Sequence, residues 1–217
     1  MAGLAALGAS PQAGWMASGQ ATVSSNRGTE TDAITISAWG ASHCRVTIDI
    51  SIPGETRRYE AMLDGTRARV TGPQGLTRAL AAPGWREGCA LLPQGLLLAE
   101  LGAGKATLAQ SADGALLLDR VAGSPGAPTL TLNSQGLPAS LSWQDNRGAK
   151  VTIAYTDYQP AGGAFYPAGV TETVAGETRL SIHLTSFAAH SGFAESDFAL
   201  PSLSPPRHLA AGNGGAQ

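Results

Sequence analysis

The sequence predicts a mainly β fold, a single antiparallel sheet of about eleven strands in near-continuous meander order. Two observations predict it. Apolar and polar residues alternate strictly along several segments, and short turn-forming sequences separate those segments. A period of two sends successive side chains to opposite faces of an extended chain, so each such segment reads as a half-buried strand. Short turns join antiparallel neighbours, because parallel strands need connections of a dozen or more residues.

Taken in order, the first strand-like stretch is SGQATVSS, followed by AITISAW with Ile34 and Ile36 set against Thr35 and Ser37. CRVTIDISI then places Val46, Ile48, Ile50 and Ile52 on one face and Arg45, Thr47, Asp49 and Ser51 on the other. TRRYEAML, TRARVTG, ALLLDRVA, APTLTL and LPASLSWQ are weaker strand candidates. KVTIAY sets Val151, Ile153 and Tyr155 against Lys150, Thr152 and Ala154, and GVTETV follows. TRLSIHLTSF closes the series, with Leu180, Ile182 and Leu184 opposite Arg179, Ser181 and His183. The punctuation (PG, DG, NSQG, DNRG, AG) is that of hairpin turns. In YTDYQPAGGAFYPAGV, Gly162 and Gly163 permit unusual dihedrals and Pro167 cannot donate a ladder hydrogen bond, which predicts a strand connection at a sheet corner. Tyr155, Tyr158, Phe165 and Tyr166 are expected to seal one end of the core there.

Two segments read as helical. The N-terminal MAGLAALGASPQAGW is apolar but has no basic n-region, its first positive residue being Arg27, so it predicts a short leading helix rather than a complete signal peptide. The second, residues 87–101, carries Leu91, Leu92, Leu96, Leu97, Leu98 and Leu101 with almost no charge, although Pro93 and Gly95 could break it into short turns. A helix apolar on nearly every side must be buried or must lie across an apolar surface. It is the natural cover for the apolar face of the sheet. The end of the chain, rich in Pro, Gly and Ala, predicts a disordered tail over 202–217, leaving one domain over 1–201.

A hydrophobic content of 43% across 217 residues supports a sizeable core. Charged residues are only 14% and the net charge is −2, which gives no basic field for nucleic acid or for an anionic membrane surface. No apolar run is long enough to span a bilayer. Cys44 and Cys89 can pair with each other or remain two separate buried thiols; a bridge would stabilise an exported protein by roughly 3–4 kcal/mol. No Cys/His spacing matches a zinc site, and no metal or cofactor is expected. A trio of Ser181, His183 and Asp49 can be assembled on paper, but any polar sheet face offers such trios, and no nucleophile-elbow motif accompanies it. GAGKAT lacks the spacing of a phosphate loop. Of the other histidines, His208 falls in the tail, His190 in a loop and His43 at the start of a strand beside Cys44. Glu30, Asp32, Glu172 and Glu177 sit near turns and read as solvated. The chain is not expected to be an enzyme.

The C-terminal third carries an ordered set of short motifs: Gly136-Leu137-Pro138, then Tyr155, Asp157 and Tyr158, then Tyr166-Pro167, then Asp197, Phe198 and Pro201. In that order they resemble the LolA/LolB lipoprotein-carrier superfamily and its envelope relatives. The resemblance implies a strongly curved half-barrel of about eleven strands, with one or two short helices covering its concave side. It also implies a periplasmic or otherwise exported protein that binds a lipid or a lipoprotein acyl chain in the concavity, without a cofactor. The polar residue that helps hold the lid in the dedicated carriers has no counterpart that can be placed on this sequence. The expected cavity lining is Ile34, Ile36, Val46, Ile48, Ile50, Leu92, Leu96, Val151, Ile153, Leu180, Ile182 and Leu184. The alternative expectation is a sensor or scaffold, its half-barrel filled by its own side chains and its rim binding an envelope protein.

Overall fold

The computed structural model describes residues 14–25, 28–40, 43–65, 67–81, 91–93, 106–110, 116–120, 128–145 and 147–200. Among the described residues thirteen strands form one sheet. They are β1 (Gly14–Ser25), β2 (Gly28–Trp39), β3 (His43–Ile52), β4 (Glu55–Asp64), β5 (Arg67–Thr71), β6 (Thr77–Ala81), β7 (Ala106–Gln110), β8 (Leu116–Arg120), β9 (Thr129–Leu132), β10 (Pro138–Gln144), β11 (Lys150–Ala161), β12 (Ala164–Val174) and β13 (Glu177–Ala189). Every pairing is antiparallel, in the spatial order β6-β5-β4-β3-β2-β1-β13-β12-β11-β10-β9-β8-β7. The sheet is open, with β6 and β7 as its edges. The first and last strands meet in the middle, so the meander is continuous apart from residues 82–105, which join one edge to the other.

Local chemistry sets the turns. Pro53 and Gly54 join β3 to β4, with Gly54 at φ 80°. Asn133 and Asp145 open two similar turns: each side-chain carboxyl or amide oxygen accepts two backbone N–H groups, from Gln135 and Leu137 and from Arg147 and Ala149, at 2.8–3.0 Å. The expected corner at 155–170 is instead a long hairpin. Gly162 and Gly163, at φ 57° and 83°, make a two-residue turn between β11 and β12, and both arms continue through the aromatic residues. Pro167 pairs with Tyr158 on β11, while pairing of β12 with β13 starts only at Gly169. Its missing N–H therefore falls where no second ladder needs it.

One face of the sheet, here the inner face, carries a contiguous buried cluster drawn from β1–β5, β9–β13 and the 91–93 segment. Alternation puts it there: Ile34, Ile36 and Ala38 stand opposite Ile48, Val46 and Cys44, which stand opposite Tyr59, Ala61 and Leu63. Burying a side chain of this size contributes about 1.5–3 kcal/mol.

Several expectations need correction. Among the described residues the helical content is one 3-10 turn, Glu195–Phe198. Residues 91–93 of the Leu-rich segment are turn and bend, not helix, as Pro93 requires, and the remainder of that segment and residues 1–13 lie outside the described residues. Two strands, β6 and β7, exceed the expected eleven; their sequences TRALA and ATLAQ lack the β-branched alternation that marks the others.

Candidate functional site: the inner face of the sheet

Eleven of the twelve predicted lining residues fall among the described residues. Ile34, Ile36, Val46, Ile48, Ile153, Ile182, Leu184 and Leu92 are buried members of the inner cluster. Ile50 and Leu180 are half-buried against it. Val151 is buried two residues from Ile153 on the same face of β11, at the end of the row rather than within the cluster. Leu96 lies outside the described residues. Leu91 and Leu92, 4% and 0% exposed, pack into the cluster on the inner face. Cys44 is on this face and is disulfide-bonded; Cys89, the other cysteine of the sequence, lies outside the described residues.

A β-bulge extends the inner face beyond what alternation predicts. Ser18 pairs with Ser186 and Gly19 with Leu184, leaving Thr185 as an extra residue in β13. The inserted residue reverses the parity of the strand. Phe187, outward if alternation continued from Leu184, turns inward and stacks between Trp15 and Tyr166, with ring centroids 5.8 and 5.1 Å away. Gly19 is required there, because a Cβ would stand 2.0 Å from the His183 carbonyl oxygen.

One end of the inner face is therefore aromatic. Tyr155 is buried, and Tyr158 donates a 2.7 Å hydrogen bond to the Pro138 carbonyl. Burial pushes both phenols well above their usual pKa. Phe165 departs from expectation. It follows the Gly-Gly turn on the opposite face from Tyr166 and is 39% exposed. The other end is more polar. Glu172 pairs with Ile153 and Leu180, which puts its carboxylate on the inner face, and burial raises its pKa. Tyr59 is raised too, by burial first, with Arg78 opposing and Glu172 adding. Asp32, 8% exposed, accepts the Ser51 N–H at 3.0 Å. Trp143 is half-buried on the same face, and its indole N–H has no hydrogen-bond partner among the described residues. Glu172 and Asp32 were expected to be solvated turn residues. The overlooked signal is their parity: Asp32 is in step with Ile34 and Ile36, and Glu172 with Val170 and Val174.

The paper trio does not assemble. Asp49 is held by Arg58 through two hydrogen bonds of 2.7 and 3.1 Å, and β1 and β2 lie between its strand and that of the exposed His183. His190 stacks on Phe193, and His208 lies outside the described residues.

An open antiparallel sheet whose apolar inner face is contacted by Leu91 and Leu92 is a LolA-like fold. The chain is similar to a domain named as an outer membrane lipoprotein-sorting protein from Vibrio parahaemolyticus, with 10% identity and a TM-score of 0.57 over 85% of this chain and 88% of that one. It is similar to a LolA superfamily protein from Nitrosomonas europaea, with 12% identity and a TM-score of 0.56 over 88% and 91% of the two chains. A DUF1329 family protein from Desulfovibrio piger gives 9% identity and a TM-score of 0.56 over 88% and 90%. No family model matches the sequence, and no curated protein sequence matches it. Among the described residues no helix is long and apolar enough to cross a membrane.

Proposed function

We propose that this is a non-catalytic cell-envelope protein of the periplasm or another exported compartment, binding a hydrophobic ligand (a lipid or a lipoprotein acyl chain) on the inner face of its sheet. One observation carries the reading. A continuous apolar surface, built from strands of both halves of the sheet, is overlain by Leu91 and Leu92 of the segment linking the edges. Such a surface recognises a ligand by apolar area removed from water, about 0.8 kcal/mol for each buried methylene, with little directional chemistry. The Trp143 indole N–H and the Glu172 and Tyr59 side chains would meet the polar end of an amphiphile, while its chain runs toward Trp15, Phe187 and Tyr166. Two of the similar structures, a lipoprotein-sorting protein domain and a LolA superfamily protein, support this reading.

A second reading, a scaffold whose inner face is filled by its own side chains, draws on the complete burial of Leu92. Native mass spectrometry with lipid extraction, on protein purified gently from its own envelope fraction, separates the two. Co-purifying acyl lipid, lost from a folded Ile182→Lys or Leu184→Lys variant, supports the carrier. A clean apo mass supports the scaffold.

A further inference from the structure

On the outer face the C-terminal segment folds back across the sheet. The His190 N–H donates to the Gly14 carbonyl oxygen at 2.8 Å, Phe193 packs edge-on against Phe198, and Phe198 is 1% exposed. The Arg45 guanidinium lies 6.0 Å over the Phe198 ring and donates to the Asp197 carbonyl oxygen at 2.6 Å. This brings the first residue of the 3-10 turn, Glu195, beside two residues paired across β3 and β4, His43 and Asp64. His43 Nε2 is 3.6 Å from Asp64 Oδ1 and 3.9 Å from Glu195 Oε1, and the three ligand atoms lie within 4.8 Å of one another.

We propose that His43, Asp64 and Glu195 form a divalent-cation site of the zinc class that fastens the C-terminal segment to the outer face of the sheet. The distances fit. With bonds of about 2.0–2.2 Å, tetrahedral zinc holds its ligand atoms about 3.3–3.6 Å apart, so His43 and Asp64 are already in place and Glu195 needs only a small approach. Glu195 is 73% exposed and free to make it, whereas His43 and Asp64 are 8% and 11% exposed and fixed by the strands. The division of labour at Asp64 fits as well. Its Oδ2 accepts from Arg67 and, at 3.2 Å, from the Leu200 N–H, which orients the carboxylate and leaves Oδ1 directed at His43 and Glu195. One imidazole and two carboxylates, with a fourth position for water, suit zinc in a site with one exposed side.

The test is zinc titration of the chelator-stripped full chain at neutral pH, in competition with a chromophoric chelator. One Zn²⁺ per chain is expected, with affinity at least tenfold weaker in Glu195→Gln, whose exposed side chain leaves folding unaffected. His190→Ala should bind as the parent does. Failure to bind stoichiometric zinc at 100-fold excess over protein, or equal affinity in Glu195→Gln, would overturn the proposal and leave the cluster as an ion pair of His43 with its neighbours.

Discussion

Leu92→Ala measures how firmly the linking segment is packed on the inner face. Leu92 is 0% exposed within the inner cluster, so the substitution removes three buried carbon groups. At about 0.8 kcal/mol each, transfer alone costs about 2.4 kcal/mol. The surrounding strands cannot collapse into the space, because their Cα positions are held by ladders on both sides; a residual cavity then brings the total to about 3–5 kcal/mol. Urea unfolding followed by circular dichroism reads this as a lowered midpoint at constant slope. Leu76→Ala is the control: that side chain is 74% exposed, and its loss should fall within about 0.5 kcal/mol of zero. A Leu92→Ala cost below about 1 kcal/mol would refute the reasoning, because a side chain so cheaply removed is not part of the core.

Other predictions rest on separate features. The raised Glu172 pKa means the folded protein binds a proton that the unfolded chain has released; its stabilising effect is complete below the unfolded pKa and is lost as pH rises through the folded one. Glu172→Gln should therefore gain stability relative to the parent as pH rises from about 4 to 7, seen in paired thermal melts, and a pH-independent difference would contradict the burial of the carboxylate. Ala175 occupies φ 52° at the first position of the β12–β13 turn, so Ala175→Gly should stabilise by about 1 kcal/mol in urea, and destabilisation would show the turn to be unstrained. Gly19→Ala should cost about 1–3 kcal/mol, because the new Cβ meets the His183 backbone and not a yielding side chain; a neutral result would remove the bulge.

Alternation made most of the inner face legible. Ile34, Ile36, Val46, Ile48, Ile153, Ile182 and Leu184 are all where the period of two places them, because a strand has no other way to bury every second residue. What alternation could not reveal was its own interruption. Nothing in TRLSIHLTSF marks Thr185 as the extra residue that turns Phe187 inward, since the bulge depends on Gly19 of a strand that pairs across most of the chain length. Gly162, Gly163 and Pro167 point to a corner, yet the glycine pair closes a continuous hairpin and Pro167 sits in its ladder opposite Tyr158. Glu172 and Asp32 lie near turns, but their parity with apolar neighbours places them on the inner face. The His43, Asp64 and Glu195 cluster has no local signature, because the C-terminal fold-back brings together residues that are distant in sequence.

The four tryptophans offer a direct measurement of where a ligand binds. Trp143 is on the inner face, packed against the cluster, whereas Trp39 is on the outer face, 5.3 Å from the His43 ring. In variants retaining only one of these tryptophans, titration with a bromine-labelled fatty acid should quench Trp143 fluorescence saturably and leave Trp39 unchanged. Absence of quenching at Trp143, or equal quenching at both, would contradict ligand binding on the inner face.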